Sequence, residues 1–230
     1  MPQENALYLD PRERRYFRRK VLHWFRSHRR RFPWRARIDP FHILVAEILL
    51  QQTDAKKVAA IYDRFLQAFP TPESLARASE PQVSKFISKI GLNYRTARLI
   101  NAAAAVQDRF RGRVPSDLDS LLSLPGVGPY VANAVLVVAF QHRVAVLDTN
   151  VIRVLERFFG LRSRRRRPHT DSVLWAAAQE LLPLHRQMAR TWNWALLDFA
   201  ATVCRHHGQL CRDCPCRRLC HLVSTPRYGL

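Results

Sequence analysis

Lysine is scarce in this chain. Of 38 basic residues only Lys20, Lys56, Lys57, Lys85 and Lys89 are lysines, and none follows Lys89. A lysine nucleophile is therefore excluded from everything downstream. Acidic residues are also few, 18 in all, which leaves a formal net charge of +20. No stretch approaches the roughly 18 uninterrupted apolar residues of a membrane span. The opening MPQENALYLDPRERRYF lacks the apolar core of a secretory signal. An intracellular, cytoplasmic protein with no membrane segment is expected. Alternation of apolar and polar residues is missing too, apart from RVAVLD at 143–148, and there is no internal repeat. These absences leave the all-α class.

What is present is a polycation of ordinary globular make-up, 47% apolar and 24% charged. A length of 230 residues suffices for one large domain or two small intertwined ones. Excess positive charge suits a polyanion, because each neutralised phosphate releases counterions. Arginine adds forked donors matched to phosphates and base edges. Nucleic acid is the expected partner, with an anionic membrane surface the competitor.

Helical signals run along the chain. Asp10 and Pro11 start a helix carrying Tyr16, Val21, Trp24 and Phe25 at helical spacing. FPWRARIDP reads as a turn-rich connector. PFHILVAEILLQQTDAKKVAAIYDRFLQAF reads as two helices meeting near Thr53–Asp54. Thr71 and Pro72 open another, Gly91 closes the next, and NYRTARLINAAAAVQDRF follows. SDLDSLLSL, DTNVIRVLERFFG, TDSVLWAAAQELL and TWNWALLDFAATVC are helical as well. RSRRRRP (162–168) reads as a solvated basic loop, with phosphate contact the alternative. The tail STPRYGL carries no helix signal.

Two local patterns carry chemistry. In LPGVGPYVAN, Gly126, Val127 and Gly128 form a tight turn opening into an apolar helix. Glycines permit close backbone approach, and the helix start offers unpaired N–H groups and a positive dipole end. That is a phosphate site needing no basic side chain. In CRHHGQLCRDCPCRRLC, Cys204, Cys211, Cys214 and Cys220 have the spacing C-x6-C-x2-C-x5-C. Reduced intracellular thiols so clustered point to metal rather than disulfides. Structural zinc more often uses two short pairs, and four thiolates also suit a 4Fe–4S cluster. Cys216 falls outside the pattern, and His206 and His207 read as surface groups. Arg205, Arg212, Arg217 and Arg218 make the loop a candidate phosphate contact.

LPGVGPYVANAV followed by AVLDTNVIRVLERFFG resembles the helix-hairpin-helix and Gly/Pro-Asp signature of base-excision DNA glycosylases. The C-x6-C-x2-C-x5-C spacing is similar to the cluster loop of the endonuclease III-type and adenine-type members. The resemblance implies that the hairpin (Gly126, Val127, Gly128) holds a DNA phosphate and that Asp148, 18 residues after Tyr130, is catalytic. It implies a 4Fe–4S cluster on Cys204, Cys211, Cys214 and Cys220, with a structural and DNA-positioning role. FPWRARIDPFHILVAEILLQQTDAKKV resembles the catalytic helix of the adenine and thymine mismatch enzymes. By that match Glu47 protonates a departing base, and Gln51 and Gln52 enter the duplex at the extruded nucleotide. The apolar flanks of Glu47 are those that raise a carboxyl pKa and favour an acid.

Bifunctional members of that family attack the sugar with a lysine where Tyr130 stands here. A tyrosine forms no imine, so a monofunctional enzyme is expected, with Tyr130 lining the sugar pocket. Thymine or uracil opposite guanine is the favoured target. The alternative is adenine opposite guanine or 8-oxoguanine, since LLQQT is shared with adenine enzymes. Against adenine stand the shorter IGLNYRTARLI turn, the LLDFAATVC segment, and a chain that stops soon after Cys220. A non-catalytic helix-hairpin-helix module is the rival of another class, but it has no use for Asp148 and Glu47 together. The implied architecture is a six-helix, barrel-like lobe over 38–149. A second lobe joins 1–37 to 150–230 and carries the cluster loop 204–220, with the active site in the cleft between. A monomer acting on mismatched or damaged double-stranded DNA is expected.

Overall fold

The computed structural model describes residues 8–36, 38–91 and 94–224. Every regular element is helical, and no strand occurs among the described residues. In chain order the helices are α1 (Pro11–His28), α2 (Pro33–Ala36), α3 (Pro40–Leu50), α4 (Ala55–Ala68) and α5 (Pro72–Ala76). They continue with α6 (Glu80–Ile87), α7 (Tyr94–Phe110), α8 (Leu118–Leu122) and α9 (Pro129–Val138). The last four are α10 (Thr149–Phe159), α11 (Ser172–Glu180), α12 (Gln187–Thr202) and α13 (His221–Ser224). None is long and apolar enough to cross a membrane.

The helix starts follow their capping residues. Asp10, Asp39, Asp54, Asp117, Asp148 and Asp171 each accept a backbone N–H at the head of a helix. Thr71 and Ser74 close a reciprocal capping box. The connector FPWRARIDP holds one helical turn, α2, because Pro33 starts it and Trp34 is buried. Helix α12 begins a turn earlier than its apolar pattern, at Gln187. The tail from 225 lies outside the described residues, as do Leu92 and Asn93 of the IGLNYRTARLI turn.

Two compact units divide the chain. One runs from Arg31 to His142, and the other joins the part up to Arg30 with the part from Arg143 onward. In the Arg31–His142 unit, α3 is buried at Phe41 and from Ile43 to Leu49, apolar there except for Glu47. A helix buried on every face belongs at the centre of a core. It packs against α9, itself buried along Val131–Val138, and against α4 and α7. Leu75, Val83, Leu99 and Val106 fill the remaining space.

The other unit is built round Phe17, whose ring lies 4.5 Å from Phe158, 5.3 Å from Phe159 and 5.8 Å from Phe199. Helix α1 therefore packs on α12, and α12 on α10. At the end of α1, Arg30 donates from its backbone N–H and its Nε to the fully buried Asp198 carboxylate, at 2.9 and 2.6 Å. RVAVLD forms no regular element and pairs with no strand among the described residues. Side-chain amides satisfy its backbone instead. Gln179 binds the Ala145 N–H and the Arg143 carbonyl at 3.0 Å each. Asn193 accepts from the Val146 N–H at 2.8 Å and donates to the Val144 carbonyl at 3.0 Å.

Candidate functional site

Helix α8, a turn and helix α9 form the hairpin. Gly126 has φ +78°, where a Cβ would lie 3.1–3.2 Å from the Arg98 side chain, so glycine is needed there for both reasons. Gly128 differs. Its φ is −102°, and a Cβ would meet nothing within 4 Å. The protein itself leaves that space open. Gly128 is the N-cap of α9, no side chain caps the helix, and Pro129 stands at N1. The helix start thus faces outward with main chain alone, an arrangement suited to an anion. Val127 is buried and its N–H is bonded to the Leu124 carbonyl at 3.1 Å, so it shapes the turn from within. Tyr130 sits half-buried in the first turn of α9.

Glu47 lies in the middle of α3 and is only 8% exposed. Burial raises the neighbouring Tyr62 phenol, and the Asp63 and Glu47 carboxylates add to the rise. Helix α3 ends at Leu50, and its last carbonyls are met by a fully buried arginine. Arg95 donates to Leu49 O at 2.9 Å and to Gln51 O. Gln51 is committed on both sides of its amide. Its Nε2 donates to the Gly126 carbonyl at 3.0 Å, and its Oε1 accepts from Arg98 at 3.0 Å. The end of α3 and the hairpin turn are thereby tied together. Gln52 is exposed with φ +53°, and its Oε1 accepts from the Tyr94 hydroxyl at 3.4 Å.

Asp148 belongs to the other unit, at the N-cap of α10. Its Oδ1 accepts from the Val151 N–H and its Oδ2 from Asn150 Nδ2, both at 2.7 Å. Asn150 is oriented in turn, because its Oδ1 accepts from Arg153 at 3.0 Å. Arg153 also donates to the Ala200 and Cys204 carbonyls, each at 2.9 Å. Burial lowers the Arg153 pKa. On the upstream side the carboxylate is reached through the segment that Gln179 and Asn193 splint. Asn193 is 3% exposed and anchors itself with a second donation, to Ala189 O at 2.9 Å.

Sequence reasoning missed this supporting set. Its only outward sign is a carboxamide or guanidinium inside an otherwise apolar helical pattern, as at Asn193 in TWNWALL.

The thiols of Cys204, Cys211, Cys214 and Cys220 line one small cavity with Cys216, Arg157 and Arg217. Burial pushes the Cys204 thiol up, with Arg157 opposing, and raises Cys220 to about 11. Cys216 is buried against Cys214, and their mutual hydrogen bond lowers Cys214 to about 7 while raising Cys216. The odd cysteine is therefore a packed thiol. Arg157 donates to Arg205 O at 2.6 Å and His206 O at 3.2 Å, which leaves both histidines at the surface of the loop. Among the described residues no group of three or more His, Cys, Asp or Glu side chains is arranged to hold a single metal ion.

An all-helical chain with a glycine hairpin and a capped aspartate beyond it defines the endonuclease III-like class of fold. The family described as HhH-GPD superfamily base excision DNA repair protein matches residues 45–180, and the chain belongs to it. It is a DNA glycosylase. The thymine/uracil-DNA glycosylase of Pyrobaculum aerophilum is 41% identical over 86% of this chain and 87% of its own. An adenine DNA glycosylase of Mycobacterium tuberculosis is 37% identical over 85% of this chain and 64% of its own. The solved structure of a thermostable thymine-DNA glycosylase superposes with a TM-score of 0.86 at 35% identity, covering 92% of this chain and 97% of that one.

Proposed function

We propose that this DNA glycosylase is monofunctional and releases thymine or uracil opposite guanine. The observation that carries the monofunctional reading is Tyr130 in the first turn of α9, with no lysine in the 141 positions after Lys89. The substrate rests on the thymine/uracil relative and the superposed thymine-DNA glycosylase. Adenine opposite guanine or 8-oxoguanine is the second reading, supported by the adenine relative and the shared LLQQT.

The target nucleotide leaves the stack, since no side chain reaches a glycosidic bond inside a duplex. Glu47, in its apolar helix, gives a proton to the base as the C1′–N bond breaks and the bonding pair leaves with the base. Asp148 stabilises the cationic sugar; both its oxygens are already oriented as acceptors by Asn150 and Val151. Water adds to C1′, and its proton passes to Asp148 and on to solvent. Tyr130 walls the sugar site without a covalent step. Gly126 and Gly128 bring the main chain of the hairpin to a phosphate. Gln52, exposed beyond the end of α3, is the residue that fills the vacated position in the duplex. Gln51, expected beside it, is held to Gly126 and Arg98 and braces the turn instead.

Cys204, Cys211, Cys214 and Cys220 are the residues that would hold a 4Fe–4S cluster. They fit one by donor chemistry, because all four thiols line one cavity and four thiolates are the usual ligand set of such a cluster. When bound, such a cluster would cross-link the loop through these four cysteines, and the hydrolysis would be left to Glu47, Asp148 and water.

The test incubates the purified enzyme with duplexes bearing T·G, U·G, A·G or A·8-oxoguanine, then heats in alkali. Release of thymine and uracil is expected, with strand breaks only after alkali. Breaks without alkali overturn the monofunctional reading, and release of adenine alone overturns the substrate. Asp148→Asn keeps the cap acceptor but not the charge, so release is expected to fall by about 10²–10⁴ with duplex binding kept. Iron and sulfide analysis tests the cluster; zinc in equimolar amount would replace it.

A further inference from the structure

Helix α1 carries a second cationic feature that neither the hairpin nor the cysteine loop accounts for. Arg12, Arg15, Arg19, His23 and Arg26 are all exposed. Their spacing places them within about 80° of arc on one face, spread over about 21 Å. Phe17, Val21 and Phe25 are turned into the core on the opposite side. The basic residues between are used internally, Lys20 over the Tyr16 ring at 5.9 Å. Arg14 pairs with Glu180 at 3.6 Å, and Arg18 donates to Leu182 O at 2.8 Å. The one acid of the helix, Glu13, lies off the stripe and contacts His221 at 3.2 Å. Among the described residues no carboxylate pairs with Arg12, Arg15, Arg19 or Arg26. Exposed Arg218, from the cysteine loop, joins Arg12, Arg15, Tyr16 and Arg19 round an open cavity of about 470 Å³.

Four guanidinium groups meet at this open cavity with no acid among its described lining residues, and an anion placed there would relieve their mutual repulsion beyond what solvent screening does. We propose that this face of α1, with Arg218, is a second phosphate-binding surface that takes the backbone of duplex DNA outside the hairpin's contact. The stripe matches a duplex in scale, since about 21 Å of helix axis presents about a dozen phosphate charges. It does not match a helix that inserts into a lipid surface, which would place apolar side chains beside the basic ones, because those of α1 are buried in the core. The inference rests on the enzyme acting on DNA and adds a contact to it.

The quadruple variant Arg12→Ala/Arg15→Ala/Arg19→Ala/Arg26→Ala tests it in the full chain, along with the matching Arg→Lys variant. Binding is measured against salt on duplexes of about 12 and about 30 base pairs, since each lost phosphate contact lowers the log–log slope by about 0.9. On the long duplex the alanine variant is expected to lose about 2 or more from the slope, and the lysine variant to retain it. Base release at saturating enzyme is expected to be unchanged. A loss confined to the long duplex assigns the flank of the same molecule. A loss on both, with capture of a second labelled duplex, assigns a separate one. An unchanged slope overturns the proposal, even if binding to anionic vesicles is lost. A wild-type protein with no salt-dependent duplex binding overturns the DNA reading itself.

Discussion

Two glycines two positions apart do different work. Gly126 is required by the protein, since its left-handed backbone and the Arg98 side chain both exclude a Cβ. Gly128 is required by nothing inside the protein. Gly126→Ala is therefore expected to destabilise the fold by about 1–3 kcal/mol. Gly128→Ala is expected to cost about 0.5–1 kcal/mol, less than Gly126→Ala, because alanine is a poorer N-cap than glycine but its Cβ meets nothing. Its duplex affinity should nevertheless fall at least tenfold as the new methyl meets the phosphate. Thermal melts and duplex titrations of the two variants read this dissociation directly. The sequence motif made both glycines candidates, and only the backbone angles and clearances separate them. Gln51 shows the same limit. Its place after an apolar helix was legible, but its bonds to Gly126 and Arg98 join residues far apart in sequence.

At the level of elements, the segment before Asp148 is held by helices α11 and α12 rather than by a neighbouring strand. Asn193→Ala removes an acceptor for Val146 N–H and a donor for Val144 O. Buried groups left unpaired cost about 1–3 kcal/mol each, so a clear fall in denaturation midpoint is expected. Base release is expected to drop more than duplex binding, since the segment leads into Asp148. Equal losses in both would place Asn193 in the core alone.

Helix α11 offers a pH test. The Ser163 hydroxyl, with the Val173 N–H helping, holds the Asp171 carboxyl below its ordinary range. A depressed carboxyl stabilises the fold above the unfolded pKa of about 3.9 and loses that contribution as pH falls through the folded value. Ser163→Ala is expected to lower the melting temperature at neutral pH, with the deficit shrinking below about pH 3.9. A deficit constant with pH would remove the carboxyl from the account. The helices themselves were legible because caps and apolar spacing are local signals. RVAVLD was not, because alternation reports an extended backbone but not what bonds to it.

For the molecule as a whole, the unit containing Asp148 is discontinuous in sequence, and the bond of Arg30 to the buried Asp198 is one of the contacts that join its two pieces. Arg30→Ala removes the side-chain Nε donor and the cation from the fully buried Asp198 carboxylate and leaves the backbone N–H bond in place. A loss of about 2 kcal/mol is expected from chemical denaturation, moderated because the Arg30 side chain is half-exposed. No loss would mean that the Phe17 cluster and the polar contacts of Arg14 and Arg18 hold α1 without it. By itself the amino-acid sequence determined the all-helical class, the polyanionic partner, the hairpin and the family. Each of these is written in composition or in residues near one another along the chain. Only the tertiary structure decided that Gln51 is tied to the hairpin, that amide side chains splint the approach to Asp148, and that Arg153 orients Asn150 beside it. It also separated the arginines of α1 that bond within the protein from those that face outward. Those outcomes depend on which distant groups come within hydrogen-bonding reach, and spacing along the chain does not encode that.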